Sequence, residues 1–248
     1  MAVASQDAST AIAWDLPTRL FHWTLAALVL LAWVSFQYAE QIGDFRLRWH
    51  RANGVAIIVL LVWRVIWGFA GSSTARFATF LYSPLAAARY AGSLVAGRTR
   101  RFLGHNPLGA YMVVTLLVVA LAQATLGLFT VEHNDIAAGP LYRLVSEEAT
   151  KLASRWHRLA FYYVLLPAIG LHVTAIILYK VLKAEPLIGA MLTGRKPVSP
   201  SQAGTGGALE DATTADIPPR PLARAALILA IASAVVLGPV YTISGRIY

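Results

Sequence analysis

The sequence predicts an all-α integral membrane protein: a four-helix transmembrane bundle followed by one appended C-terminal transmembrane helix. Three observations lead there. The 248-residue chain is 57% hydrophobic and only 13% charged, with a mean hydropathy of +0.59, too apolar for a soluble domain of this size. Five runs approach the ~20 apolar residues needed to cross roughly 30 Å of hydrocarbon: residues 20–38, 52–70, 108–130, 159–179 and 222–240. The basic residues, finally, sort by loop instead of gathering in one stripe.

That sorting gives an orientation. The segment between the second and third spans carries Arg76, Arg89, Arg98, Arg100 and Arg101 with no acid, and the stretch after the fourth adds Lys180, Lys183, Arg195 and Lys196. The loop between spans three and four holds Glu132, Asp135, Glu147 and Glu148. By the positive-inside rule the basic segments are cytoplasmic. The N-terminus is then cytoplasmic and the C-terminal tail periplasmic, in a multi-pass protein of the bacterial inner membrane. The opening MAVASQDASTAIAWDLP lacks a basic region followed by a short apolar core and a small-residue cleavage site, so the first span is expected to act as the membrane signal.

Composition also excludes chemistry. There is no cysteine, hence no disulfide, thiolate-ligated cluster, thiolate zinc site or covalent c-type haem attachment. Metal chemistry must run through histidine. The net charge of +9 lacks the basic face interleaved with exposed aromatics that nucleic acid needs, so the expected surroundings are lipid and no nucleic acid.

Residues 1–196 read as the four-helix core. Within its first cytoplasmic loop, residues 80–96 are apolar but too short to span, and Pro84 lies near their start; a short interfacial helix or a plain connector fits. Residues 197–221, PVSPSQAGTGGALEDATTADIPPRP, read as a flexible cytoplasmic linker. Residues 222–248 form the fifth helix and its tail; small residues and the lack of histidine or buried charge suit an anchor or a helix that contacts a partner.

The histidines carry the chemistry. His22 lies near the cytoplasmic start of span one and His50 near the outer start of span two, while His157 and His172 share span four. The last two are 172 − 157 = 15 residues apart, which at about 100° per residue leaves them within about 60° of one face and roughly 22 Å apart along the axis. One helix therefore offers ligands at both membrane levels. Under the loop-derived topology His22 lies level with His172, and His50 with His157. Two imidazoles facing each other across a bundle describe axial ligation of a b-type haem. A lone interfacial histidine is more often a snorkelling or satisfied core group, but four that pair by depth are costly in a membrane and point to function.

Glycines fit the same picture: Gly54 one turn from His50, Gly170 beside His172, and Gly127 on span three could admit a flat macrocycle, with ordinary small-residue packing as the alternative. Arg64, 64 − 50 = 14 residues past His50, falls near the cytoplasmic haem level, where it could pair with a propionate or snorkel to the interface. Arg51, Arg155 and Arg158 flank the outer histidines, with the same two readings.

The motifs WDLPTRLFHW, RWHRANG, WRVIWGFAGSSTARF, GHNPLGAYM and HRLAFYYVLLPAIGLHV resemble those of the bacterial cytochrome b561 group, which includes the cytochrome b subunits of nickel–iron hydrogenases and a superoxide-oxidising diheme quinone reductase. They cover residue 14 to about 195. The resemblance implies two non-covalent haems b, one held by His22 and His172 on the cytoplasmic side and one by His50 and His157 on the periplasmic side. It also implies a quinone site beside the cytoplasmic haem, drawing on Arg19, Arg64, His105 and Asn106, although an Asn-Pro pair is equally a helix-starting signal. His133 has no partner at its depth and reads as a surface residue or partner contact. The linker and fifth span depart from the compact four-helix members.

Three functions compete. The first is a respiratory electron-transfer subunit linking the quinone pool to a periplasmic partner such as a c-type cytochrome or a dehydrogenase, with room for a homo- or hetero-oligomer. The second is a self-contained superoxide:quinone oxidoreductase, in which Arg46, Arg48, Arg51 and Arg155 attract an anion against the acidic outer loop. The third is a structural or assembly subunit whose histidines bind nothing.

Overall fold

The computed structural model describes residues 9–98, 101–131, 137–198 and 214–244. In chain order the elements are strand β1 (Ser9–Ile12), helices α1 (Leu16–Gln37), α2 (Arg48–Ala70), α3 (Phe77–Phe80), α4 (Pro84–Val95), α5 (Pro107–Gly127) and α6 (Glu147–Ala160), a π-helical turn (Phe161–Leu165), α7 (Leu166–Lys183), α8 (Leu187–Thr193), strand β2 (Arg195–Val198) and α9 (Pro221–Ser244). Helices α1, α2, α5, α9 and the continuous helix Glu147–Lys183 are each long and apolar enough to cross a membrane. The five expected spans are all present.

Two segments differ from the sequence reading. The fourth helix begins at Glu147, twelve residues before its apolar run, because Ser146 caps it by accepting from the Ala149 amide and Glu147 and Glu148 occupy its positive end. The interfacial segment is two pieces: Ser83 accepts from the Ala86 amide and Pro84 opens α4, where proline's missing donor costs nothing. Residues 199–213, in the stretch expected as linker, lie outside the described residues, as do Arg100, Glu132, His133 and Asp135.

The chain divides into two compact units. One comprises Met1–Arg19, Trp67–Val113 and Thr174–Leu222. In it β1 pairs antiparallel with β2, from Ser9 opposite Val198 to Ile12 opposite Arg195. Gly194 ends α8 with φ +82° and its carbonyl accepts from the Ala13 and Trp14 amides; a Cβ there would lie 2.7 Å from the Trp14 carbonyl oxygen, so this turn requires glycine. Ala215 donates to the Ile12 carbonyl and Ser73 to that of Asp216. The segments before α1, after α2, after α7 and before α9 thus meet in one unit, as a chain crossing a membrane back and forth requires of its even-numbered returns.

The other unit comprises Leu20–Ile66, Val114–Val173 and Ala223–Tyr248. Ile57, Leu61, Ala120 and Leu165 form its core, with Leu25, Leu28, Leu117 and Ile169 against them. Helix α9 buries Ile228, Ala232, Val236 and Val240, every fourth residue and so one stripe, and the Trp63 indole donates to the Ala225 carbonyl at 3.0 Å. Leu30, Leu31, Val118 and Leu171 remain half or more exposed, as lipid-facing side chains do. Between α1 and α2, the buried Asp44 accepts from the Trp49 amide at 2.9 Å and from the Arg48 guanidinium at 3.4 Å. Burial alone would raise its carboxyl, but these bonds outweigh it and hold the group below its ordinary value.

Candidate functional site: two histidine pairs

The second unit brings the four histidines together in two pairs. The His22 and His172 ring centroids are 6.4 Å apart with planes inclined at 54°. Those of His50 and His157 are 6.1 Å apart at 89°. An iron held by two imidazole nitrogens at about 2.0 Å each, with each nitrogen roughly 1.15 Å from its ring centre for bonds near 1.33 Å, sets the ring centres about 6.3 Å apart. Both separations fit a pair of imidazoles that would hold one iron between them. Among the described residues no three or more His, Cys, Asp or Glu gather as a metal cluster. Two facing imidazoles are the donor set that would hold a haem iron.

Helix geometry explains why residues so far apart in sequence align. The π turn at Phe161–Leu165 lies between His157 and His172 and takes up one residue more than an α turn. The 172 − 157 = 15 residues therefore advance like fourteen, about 40° short of four whole turns, with roughly 21 Å of rise. Both rings share one face. Nothing in the composition of FYYVLL marks this turn, so spacing alone yields the coarser estimate of about 60°.

The outer pair has its tautomers set. His50 Nδ1 lies 2.8 Å from the Ala32 carbonyl oxygen and His157 Nδ1 2.9 Å from that of Gln123. Because a carbonyl only accepts, each Nδ1 carries the proton, which makes Nε2 the unprotonated nitrogen, the form that binds a metal. The pair opens on a cavity of about 1240 Å³, counting its open mouth, walled by Ile57, Ala120, Ala124 and Leu165 and rimmed by Arg51, Arg158 and Gly54. A Cβ on Gly54 would meet nothing within 4 Å, whereas one on Gly127 would lie 3.0 Å from His157 Cε1. Gly54 thus leaves room for a ligand, and Gly127 leaves room for a histidine. Arg51 donates one arm to the Ala138 carbonyl at 2.9 Å, and its Nε is buried with no hydrogen-bond partner. Arg155 is exposed and off this lining. A mostly apolar cleft lined by two arginines fits a flat macrocycle bearing carboxylates.

At the inner pair His22 Nδ1 is buried without a hydrogen-bond partner. In the same unit Arg64, on α2, is only 3% exposed, enclosed by protein within a helix long and apolar enough to cross a membrane.

The remaining candidates lie in the first unit. The Asp15 carboxylate accepts from the Thr18 amide at 2.6 Å and from the Trp67 indole at 3.3 Å, so it caps α1. Arg19 donates to the Leu192 carbonyl. The His105 ring lies between Trp14 and Phe80, with centroids 4.7 and 4.8 Å away. Asn106 accepts from the Gly109 amide at 2.8 Å and donates to the Tyr179 hydroxyl at 3.1 Å; Tyr179 in turn meets the Tyr90 hydroxyl at 3.0 Å. Asn106 thus caps α5, as an Asn-Pro start predicts, and holds a tyrosine pair that no sequence pattern indicated. Burial and this hydroxyl contact push the Tyr90 phenol well above its ordinary value. Lys196 donates to the Phe102 and Gly104 carbonyls, and its burial lowers the ammonium's affinity for its proton.

Against known proteins, residues 13–194 match the family model of prokaryotic cytochrome b561. No curated protein and no solved structure matches. The matched stretch takes in the five sequence motifs, all four histidines and four of the five spans. The chain belongs to the prokaryotic cytochrome b561 family, multi-pass bacterial membrane cytochromes of the b type that serve electron transfer.

Proposed function

We propose that the chain binds two haems b, one between His22 and His172 and one between His50 and His157, and carries electrons between the quinone pool and a periplasmic partner such as a c-type cytochrome or a dehydrogenase. The single observation behind this reading is the pair of ring separations, 6.4 and 6.1 Å, each matching a bis-imidazole iron. Haem, when bound, supplies a one-electron carrier at each level. The chain's own residues do the rest. His50 and His157 present Nε2 because their Nδ1 protons are engaged elsewhere. Arg51 and Arg158 offer positive charge to the outer propionates, and Arg64 to the inner ones. Apolar side chains keep water from the metal.

On the quinone side the residues put forward are Arg19, Arg64, His105 and Asn106, supported by their likeness to the family's motifs. The basic loops support a cytoplasmic location for this side and for the N-terminus, with the outer pair toward the periplasm. Residues 1–196 act as the redox core, 197–221 as a tether, and the fifth helix as an added packing surface. The test is to reduce the purified holoprotein with a quinol and follow the haem absorption bands. Reduction by quinol and reoxidation by added quinone are expected; haem that responds to neither sinks the quinone role.

A further inference from the structure

Gln123, on α5, belongs to no motif of the sequence reading, yet it holds His157 at two points. Its main-chain carbonyl accepts the His157 Nδ1 proton at 2.9 Å, while its side-chain Nε2 donates to the His157 main-chain carbonyl at 2.8 Å. The amide orientation is not arbitrary. Turned over, its oxygen would face the His157 carbonyl oxygen at that distance, two acceptors without a proton between them. Gln123 is 8% exposed and its Oε1 is buried with no partner, so its side-chain hold on His157 comes through Nε2.

The location matters as much as the contacts. The Phe161 amide donates to both the Arg158 and the His157 carbonyls just before the helix passes into its π turn, so the His157 carbonyl takes a second donor, from Gln123, beside the one its own helix supplies. We propose that Gln123 is a positioning residue of the outer iron site: its side chain holds the main chain of His157 from α5, beside the main-chain carbonyl that orients the ring. This rests on His50 and His157 being the outer axial ligands. By contrast, His22 Nδ1 makes no such bond, so the device belongs to the outer site alone.

The test compares the full-length holoprotein with Gln123→Met, which keeps volume and removes the donor, and Gln123→Glu, which sets a carboxylate beside His157 Nδ1, 3.2 Å from the Gln123 Nε2 position. Each haem's midpoint potential and ferric low-spin electron paramagnetic resonance signal are recorded, the two haems being told apart with His22→Ala and His50→Ala. The carboxylate draws the Nδ1 proton and makes the imidazole a stronger donor to ferric iron, so Gln123→Glu is expected to lower the outer potential and leave the inner one in place. Gln123→Met is expected to shift and broaden the outer ferric signal alone. If Gln123→Glu does not hold the outer haem, Gln123→Met decides. Outer potential and signal unchanged in the haem-bearing variants would overturn the proposal, whereas a native protein with fewer than two haems would overturn the ligation on which it rests.

Discussion

His50 and His157 face each other with ring centroids 6.1 Å apart and planes at 89°, and each ring's Nδ1 lies within 2.9 Å of a main-chain carbonyl on another helix. Two side chains more than a hundred residues apart in sequence are thus aimed by backbone atoms that no side-chain substitution removes. The arrangement makes the two histidine pairs separable experimentally.

Single removal of a ligand should empty one site and spare the other. His50→Ala is expected to halve the haem content and retain the inner signal, and His22→Ala to do the converse. Haem per chain with low-temperature spectra reads this out; loss of both haems from either variant in a folded protein contradicts independent sites.

The glycines of the outer cavity make opposite predictions from one another. At Gly54 a Cβ meets open space, so Gly54→Ala is expected to keep the outer haem while Gly54→Phe, projecting a ring into the cavity, excludes it. At Gly127 even a methyl group crowds His157, so Gly127→Ala is expected to alter the outer ferric spectrum without changing the inner one. An unaltered outer site in both Gly54→Phe and Gly127→Ala would argue against a ligand there.

Arg64 is buried on α2, and a positive charge beside haem favours the reduced, less positive iron. Arg64→Met is expected to lower the inner midpoint potential and leave the outer one where it is, measured by redox titration. An equal shift of both potentials would show a general effect on the fold.

Asp44 gives a pH dependence outside the haem sites. Its carboxyl is held below the ordinary carboxylate value in the fold, so its contribution to stability is fully present above the unfolded value, about 4, and is lost as the pH falls through the folded one. Asp44→Ala is expected to cost about 1 kcal/mol, as loss of a helix cap does, and to flatten the acid limb of thermal stability measured from about pH 7 down to about pH 3. The same acid limb in variant and native protein would assign the dependence to other carboxylates.

Much of this was legible in the sequence because the membrane imposes length and composition on its spans. The five helices, the Asn-Pro start of α5 at Asn106, and the facing of His22 with His172 and of His50 with His157 follow from apolar run lengths, turn chemistry, loop charge and residue spacing. What escaped has a common cause in contacts set by tertiary geometry. The π turn after Ala160 has no composition of its own. Gln123 is one polar residue in an apolar run, indistinguishable from a packing residue until its amide is seen on the His157 carbonyl. The pairing of β1 with β2, four residues each, is too short to announce itself beside a Gly-rich stretch. The packing of the His105 ring between Trp14 and Phe80 likewise joins residues far apart in sequence.

The central claim is that two imidazole pairs each hold one haem. A pyridine haemochrome assay on the purified full-length chain, normalised to protein by amino-acid analysis, tests it most directly. Two haems b per chain are expected; one haem, or none, would contradict the account.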